Sequence, residues 1–143
     1  MFARAVGQAL AMVALACGSA YAQDPARPSR VLTGQWGGEH VVLTMSKTAT
    51  HVELDCAHGD LSSPIRTDPQ RRFTIAGTFV RERGGPVRRD APLDRHAATY
   101  EGSVRANTMT LTIRLKDSDE LIGTFILKRG AAGRLVKCRH LAR

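Results

Sequence analysis

Three residues able to do chemistry crowd into one short stretch: Asp55, Cys56 and His58 within Val52-Glu53-Leu54-Asp55-Cys56-Ala57-His58-Gly59. A thiol beside an imidazole has the makings of a nucleophile with its base. An imidazole with a carboxylate, joined by His40 from the preceding segment, has the donor types that suit zinc. Each reading meets an objection in the same chain. The spacing of His40, Asp55 and His58 matches none of the compact zinc patterns, so no metal and no cofactor is expected. Cys56 has a competing fate in Cys138, 82 positions later.

That fate depends on compartment. Residues 1–22 hold one early positive charge, Arg4, then an apolar run from Ala9 to Ala16 and the small-x-small ending Ala20-Tyr21-Ala22. This is the layout of a secretory signal, and the run is too short to span a bilayer. Cleavage after Ala22 is expected, with a periplasmic or secreted product. Ala14-Leu15-Ala16 ahead of Cys17 is a poor match to a lipid-attachment box. Two cysteines remaining in an oxidising compartment predict a Cys56–Cys138 disulfide in place of a thiol site.

Removing 22 of 143 residues leaves 121, enough for one domain with a modest core. Loss of Arg4 from the 21 basic residues leaves a net charge of +7 against 13 acidic ones. Such a balance favours anionic partners. Nucleic acid is not among those expected, because Trp36, Phe73, Phe79, Tyr100 and Phe125 form no stacking series and no basic helical stripe occurs.

The elements that must position these groups follow from alternation. Residues 23–32 read as a disordered lead-in and residues 33–140 as a single β-barrel domain. His40–Met45 is the first clear strand, and a second ends at Cys56. Pro64 confines Leu61–Arg66 to an edge or a broken strand. Arg72–Arg83 reads as the longest strand, with Phe73, Ile75, Gly77 and Phe79 on one face. Ala98–Val104, Met109–Leu115 and Glu120–Arg129 alternate likewise, and Leu135–Arg139 reads as a short last strand. Gly77-Thr78-Phe79 is echoed by Gly123-Thr124-Phe125, where an absent side chain leaves room for a ring. No stretch keeps helical spacing. The expectation is all-β: a seven- to eight-stranded antiparallel meander closed into a calycin-like barrel.

Gly34-x-Trp36 at the start of this series resembles the opening motif of lipocalins and related calycin barrels. That resemblance implies a tryptophan plugging one barrel end under a basic residue from near the last strand, a part for Arg134 or Arg139. Trp36-Gly37-Gly38, Asp55-Cys56-Ala57-His58-Gly59, Thr78-Phe79-Val80-Arg81-Glu82-x-Gly84-Gly85-Pro86-Val87 and Leu135-Val136-Lys137-Cys138 together resemble a set of small exported bacterial proteins. That likeness implies a self-contained module and brings no chemistry with it.

The functional expectation is a non-enzymatic binding module of the bacterial envelope for a small anionic or partly apolar ligand. Its candidate site is Trp36, His40, Asp55, His58 and Arg83, the last beginning a glycine-rich loop that runs to His96. A structural protein docking on an envelope component is the second reading. A hydrolase using Asp55 and His58 is the third, since no nucleophile or oxyanion arrangement accompanies them.

Overall fold

A computed structural model describes residues 29–86 and 88–138; residues 1–28, with the expected signal and most of the lead-in, Val87 and residues 139–143 lie outside them. Eight antiparallel strands run in chain order and close on themselves: β1 (Gly34–Gly38), β2 (Val41–Met45), β3 (Thr50–Leu54), β4 (Ala57–Leu61), β5 (Arg72–Arg81), β6 (Asp94–Arg105), β7 (Thr108–Leu115) and β8 (Leu121–Arg129). The all-β meander expected from alternation is therefore a closed eight-stranded barrel, and β6, not β5, is its longest strand.

Alternation writes the inside face directly. Val41, Leu43 and Met45 on β2, Thr50, Val52 and Leu54 on β3, and Met109, Leu111, Ile113 and Leu115 on β7 are all buried. Intervening residues face solvent because successive side chains on a strand take opposite faces. Trp36 and Tyr100 are the two largest fully buried side chains, and with them the barrel axis is occupied by protein. Glycines make that packing geometrically feasible. A Cβ on Gly59 would lie 2.3 Å from the Tyr100 hydroxyl, and one on Gly77 2.9 Å from Tyr100 Cε2. Gly123 stands under the ring of Phe125 in the same way, so the echoed Gly-x-Phe pattern does leave room for rings.

The hairpin carrying Asp55 and Cys56 is tighter than its sequence suggests. β3 ends at Leu54, Asp55 and Cys56 are the whole connection, and His58 belongs to the next strand. Cys56 has φ 51°, a left-handed conformation uncommon for a residue with a side chain. Extending β3 through Cys56 overlooks this reversal, for which no glycine gives warning.

Ordered structure also begins earlier than residue 33. Val31 bridges Arg66, and the Leu32 N–H donates to the Ile65 carbonyl at 2.9 Å. Leu32 and Ile65 are both buried, so the end of the lead-in is held by apolar packing.

Residues 135–138 are not a strand. Beyond Gly130 the chain doubles back along the outside of β1 as a strap. Arg134 pairs in parallel with Glu39, donating its N–H to Gly38 and accepting from His40. Gly37 and Gly133 allow this close lie, since a Cβ on Gly37 would meet the Gly133 nitrogen at 2.3 Å and the Ala131 oxygen at 2.4 Å. Farther on, Val136 N–H donates to Asp55 Oδ1 at 2.6 Å and Lys137 Nζ to Glu53 Oε2 at 2.9 Å. The strap ends in the Cys56–Cys138 disulfide, Cα–Cα 5.0 Å.

A crosslink enclosing 82 residues removes enough denatured-chain entropy to stabilise by about 4.5 kcal/mol at most. Replacing Cys138 by Ser is expected to lower the urea midpoint by an amount equivalent to about 2–4 kcal/mol while far-ultraviolet circular dichroism remains that of a β protein. Unchanged unfolding in C138S would show that the strap contributes nothing to the folded state.

Candidate functional site

The barrel has two ends of opposite character. One carries the β1–β2, β3–β4, β5–β6 and β7–β8 connections; the other carries the start of β1, the 62–71 connection, the β6–β7 turn and the end of β8.

At the first end, ionisable groups meet in compensated pairs. His40, in the β1–β2 turn with φ 67°, puts Nδ1 2.5 Å from Asp55 Oδ2. The other carboxylate oxygen of Asp55 takes the Val136 N–H. His58 on β4 bonds Glu82 Oε1 through Nδ1 at 2.9 Å. Arg81 donates to Glu120 at 2.7 Å, and Arg83 stands 3.7 Å from Asp94. His96 is held on both sides, Nδ1 by Asp117 at 2.5 Å and Nε2 by Asp94 at 2.8 Å.

The five expected site residues are thus divided. His40 and Asp55 do come together, as one pair that fastens the strap to the β1–β2 turn. His58 goes to Glu82 and Arg83 to Asp94. Trp36 is fully buried and has its ring under Arg129, whose guanidinium carbon is 5.1 Å from the ring centroid. The basic residue over the tryptophan is therefore Arg129, the last of β8. Arg134 is engaged with the β1–β2 turn instead, and Arg139 lies outside the described residues. A cation over an indole face is electrostatically favourable and shields the ring from solvent.

At the second end three of the arginines lack such partners. Arg30, Arg71 and Arg129 surround a cleft of about 420 Å³ whose apolar wall is Leu32 and Val104. Among the described residues, no carboxylate makes an ion pair with any of these three. Asp68 also lines this cleft, but it is committed to the local turn: it accepts the Arg72 N–H at 2.7 Å and faces the Arg72 guanidinium at 3.7 Å. Arg71 itself has φ 62°, a strained backbone for a long side chain, and its carbonyl accepts the Val104 N–H. A broader cleft of about 670 Å³ adjoins on the outer face of β5–β7, between Arg66, Arg72 and the hydroxyls of Thr74, Ser103, Thr110 and Thr112.

Sequence reasoning misses this end because its arginines are spread over 99 positions, from Arg30 through Arg71 to Arg129, and sit in an ordinary-looking lead-in, turn and strand end. The one local signal is Asp68-Pro69-Gln70-Arg71-Arg72, a turn that delivers two cations together. Comparison of the chain with family models, with characterised proteins and with solved structures finds no match.

Among the buried or paired groups shifted from their ordinary pKa are Tyr100, His96 and Asp117. Burial, assisted by the charge of Asp60, raises the Tyr100 hydroxyl, which stays protonated and donates to the Thr78 carbonyl at 2.6 Å. Bonds from Asp117 and then Asp94 raise His96, while the His96 bond lowers Asp117.

The His96 contact is therefore expected to stabilise fully below the ordinary imidazole value of 6.5 and to weaken as pH rises through its raised folded value. The Asp117 side of the pair is lost in the opposite direction, as pH falls below the ordinary carboxylate value of 3.8. In a proton NMR titration the His96 ring should titrate above 6.5, and D117N should move its midpoint down. A midpoint unaffected by D117N would deny the pairing. Tyr100→Phe strands the Thr78 carbonyl and should cost about 1–3 kcal/mol in urea unfolding.

Proposed function

We propose that this protein is a non-enzymatic binding module of the bacterial envelope that takes a small, acidic and partly apolar ligand at its arginine-lined barrel end. The observation that carries this reading is a set of three cations, Arg30, Arg71 and Arg129, without carboxylate partners around an apolar wall of Leu32 and Val104. At the opposite end of the barrel His40, His58, Arg81, Arg83 and His96 each face a carboxylate. An acid supplied from outside would complete at this end what the protein completes internally at the other. Export, suggested by the signal-like start, would place the site where lipid acids and phosphorylated small molecules are encountered.

Binding would be on the end of the barrel and not along its axis, because Trp36, Tyr100 and Met109 fill the interior. A filled interior also suits the second reading, a docking protein. The unpaired arginines favour ligand capture over it. A hydrolytic role for Asp55 and His58 finds less support, since Asp55 is spent on His40 and the strap while His58 faces Glu82.

An amphiphilic sulfonate such as 8-anilinonaphthalene-1-sulfonate is a suitable probe, having an acid and an aromatic body. Its fluorescence should rise on saturable binding to the native protein, and the affinity should fall with added salt because the arginines are exposed. Arg71→Gly removes one guanidinium while relieving the φ of 62°, so it should weaken binding about 5–20-fold without lowering the unfolding midpoint. Arg30→Ala should act in the same direction. Equal affinity in both variants would place the site elsewhere.

A further inference from the structure

The histidines of this chain are not equivalent as metal ligands, and the difference is geometric. Both ring nitrogens of His96 are taken by carboxylates. His40 has Asp55 on Nδ1 and Glu39 3.9 Å from Nε2. His51 and His58 differ: each has Nδ1 bound to a carboxylate, Asp60 Oδ1 at 2.7 Å and Glu82 Oε1 at 2.9 Å, and among the described residues nothing bonds either Nε2.

We propose that His51 and His58 together bind a divalent transition-metal ion of the imidazole-preferring kind, Zn²⁺ or Cu²⁺, through their Nε2 atoms on the outer face of β3 and β4. Register brings the two rings side by side. His51 stands opposite Asp60 and Glu53 opposite His58, so these four side chains share the outward face. The ring centroids are 6.1 Å apart and the planes are tilted by 32°. With metal–nitrogen bonds of about 2.0–2.1 Å, two imidazoles on one ion have centroids roughly 5 Å apart at the tetrahedral angle and about 6.4 Å apart when opposed. The observed separation falls inside that span. Both side chains are part-exposed, at 42% and 35%, and have room to close the remaining distance.

The carboxylates behind the rings supply the second requirement. An Nδ1–H donated to a carboxylate leaves the neutral ring's lone pair on Nε2, fixes its orientation and raises its basicity, which is the usual support of a metal-bound histidine. Asp60 and Glu82 also bring negative charge to this face of a basic protein, which offsets the charge of an incoming dication. Among the described residues no three metal-binding groups are gathered into a closed set. The site therefore has two protein ligands and open positions for water or a small anion. Glu53 is the neighbouring acid, and Lys137, bonded at 2.9 Å, holds its carboxyl below the usual range and occupied.

The test is isothermal titration of the disulfide-bonded mature protein with ZnCl₂, and separately CuCl₂, in a non-chelating buffer at pH 7.5. One equivalent should bind with a dissociation constant below about 100 μM. His51→Ala and His58→Ala should each weaken binding at least 10-fold, with thermal unfolding showing that both still fold. Glu82→Gln, a change in the positioning residue alone, should weaken it by about 10-fold. His40→Ala, His96→Ala and His140→Ala should bind as the parent does. Because protons compete with the metal for imidazole, affinity should fall as the pH is lowered. Absence of saturable binding, or binding that survives loss of His51 and His58, overturns the proposal. So does binding that depends on His40, His96 or His140.

Discussion

The closure between β1 and β8 is the constraint on which the rest of this molecule depends. Its ladder is brief: Trp36, Gly37 and Gly38 oppose Arg129, Lys128 and Leu127, whereas β5 and β6 pair along ten residues each. A barrel shut by three pairs needs reinforcement, and the chain supplies it from both faces. Inside, Trp36 packs into the core from the seam itself. Outside, the strap lies along β1 in the space left by Gly37 and Gly133, and is tied down by Asp55, Glu53 and Cys56. The arginine cleft inherits its shape from this closure, since Arg129 is both the last residue of the seam and a wall of the cleft.

The two barrel ends differ because their charges have different jobs. At the strap end, Asp55, His40, Glu53 and Lys137 hold separate pieces of chain together, and each charge is consumed in doing so. At the other end the chain is held by apolar and backbone contacts, Leu32 on Ile65 and Val31 against Arg66, and Arg30, Arg71 and Arg129 make no ion pair with an acid among the described residues. Residues that look most chemical in the sequence are thus the most occupied in the structure. Acids and imidazoles two residues apart attract notice, but proximity along a strand says nothing about what crosses from a distant segment to meet them.

The fold was accessible from pattern because a barrel's inward and outward faces alternate with period two, and β2, β3, β6 and β7 keep that alternation without interruption. Pattern misleads where backbone conformation departs from it. Cys56 reverses the chain with a left-handed backbone that no glycine announces. Residues 135–138 carry strand-like spacing yet meet side chains and turns instead of a ladder. The pairing of Cys56 with Cys138 is legible by counting on the expectation that the segment holding Cys17 is removed, since the two remaining cysteines have one way to join. The arginine cleft is not: its members come from the lead-in, the 68–72 turn and the end of β8, and only closure brings them together.

Closure at the chain's two extremities has a consequence for how the protein is made. One edge of β1 pairs with β2 at once, but its other edge cannot meet β8, nor Cys56 meet Cys138, until those much later segments have emerged. The local hairpins β2–β3, β3–β4, β5–β6 and β6–β7 can form early, and the contact of greatest sequence separation must come late. Until then the growing sheet has two raw edges, β1 and whichever strand was made most recently, each offering unpaired backbone groups to any neighbouring copy. Crowded nascent chains would therefore be most at risk of exchanging strands during that interval, and the oxidation that joins Cys138 to Cys56 marks its end.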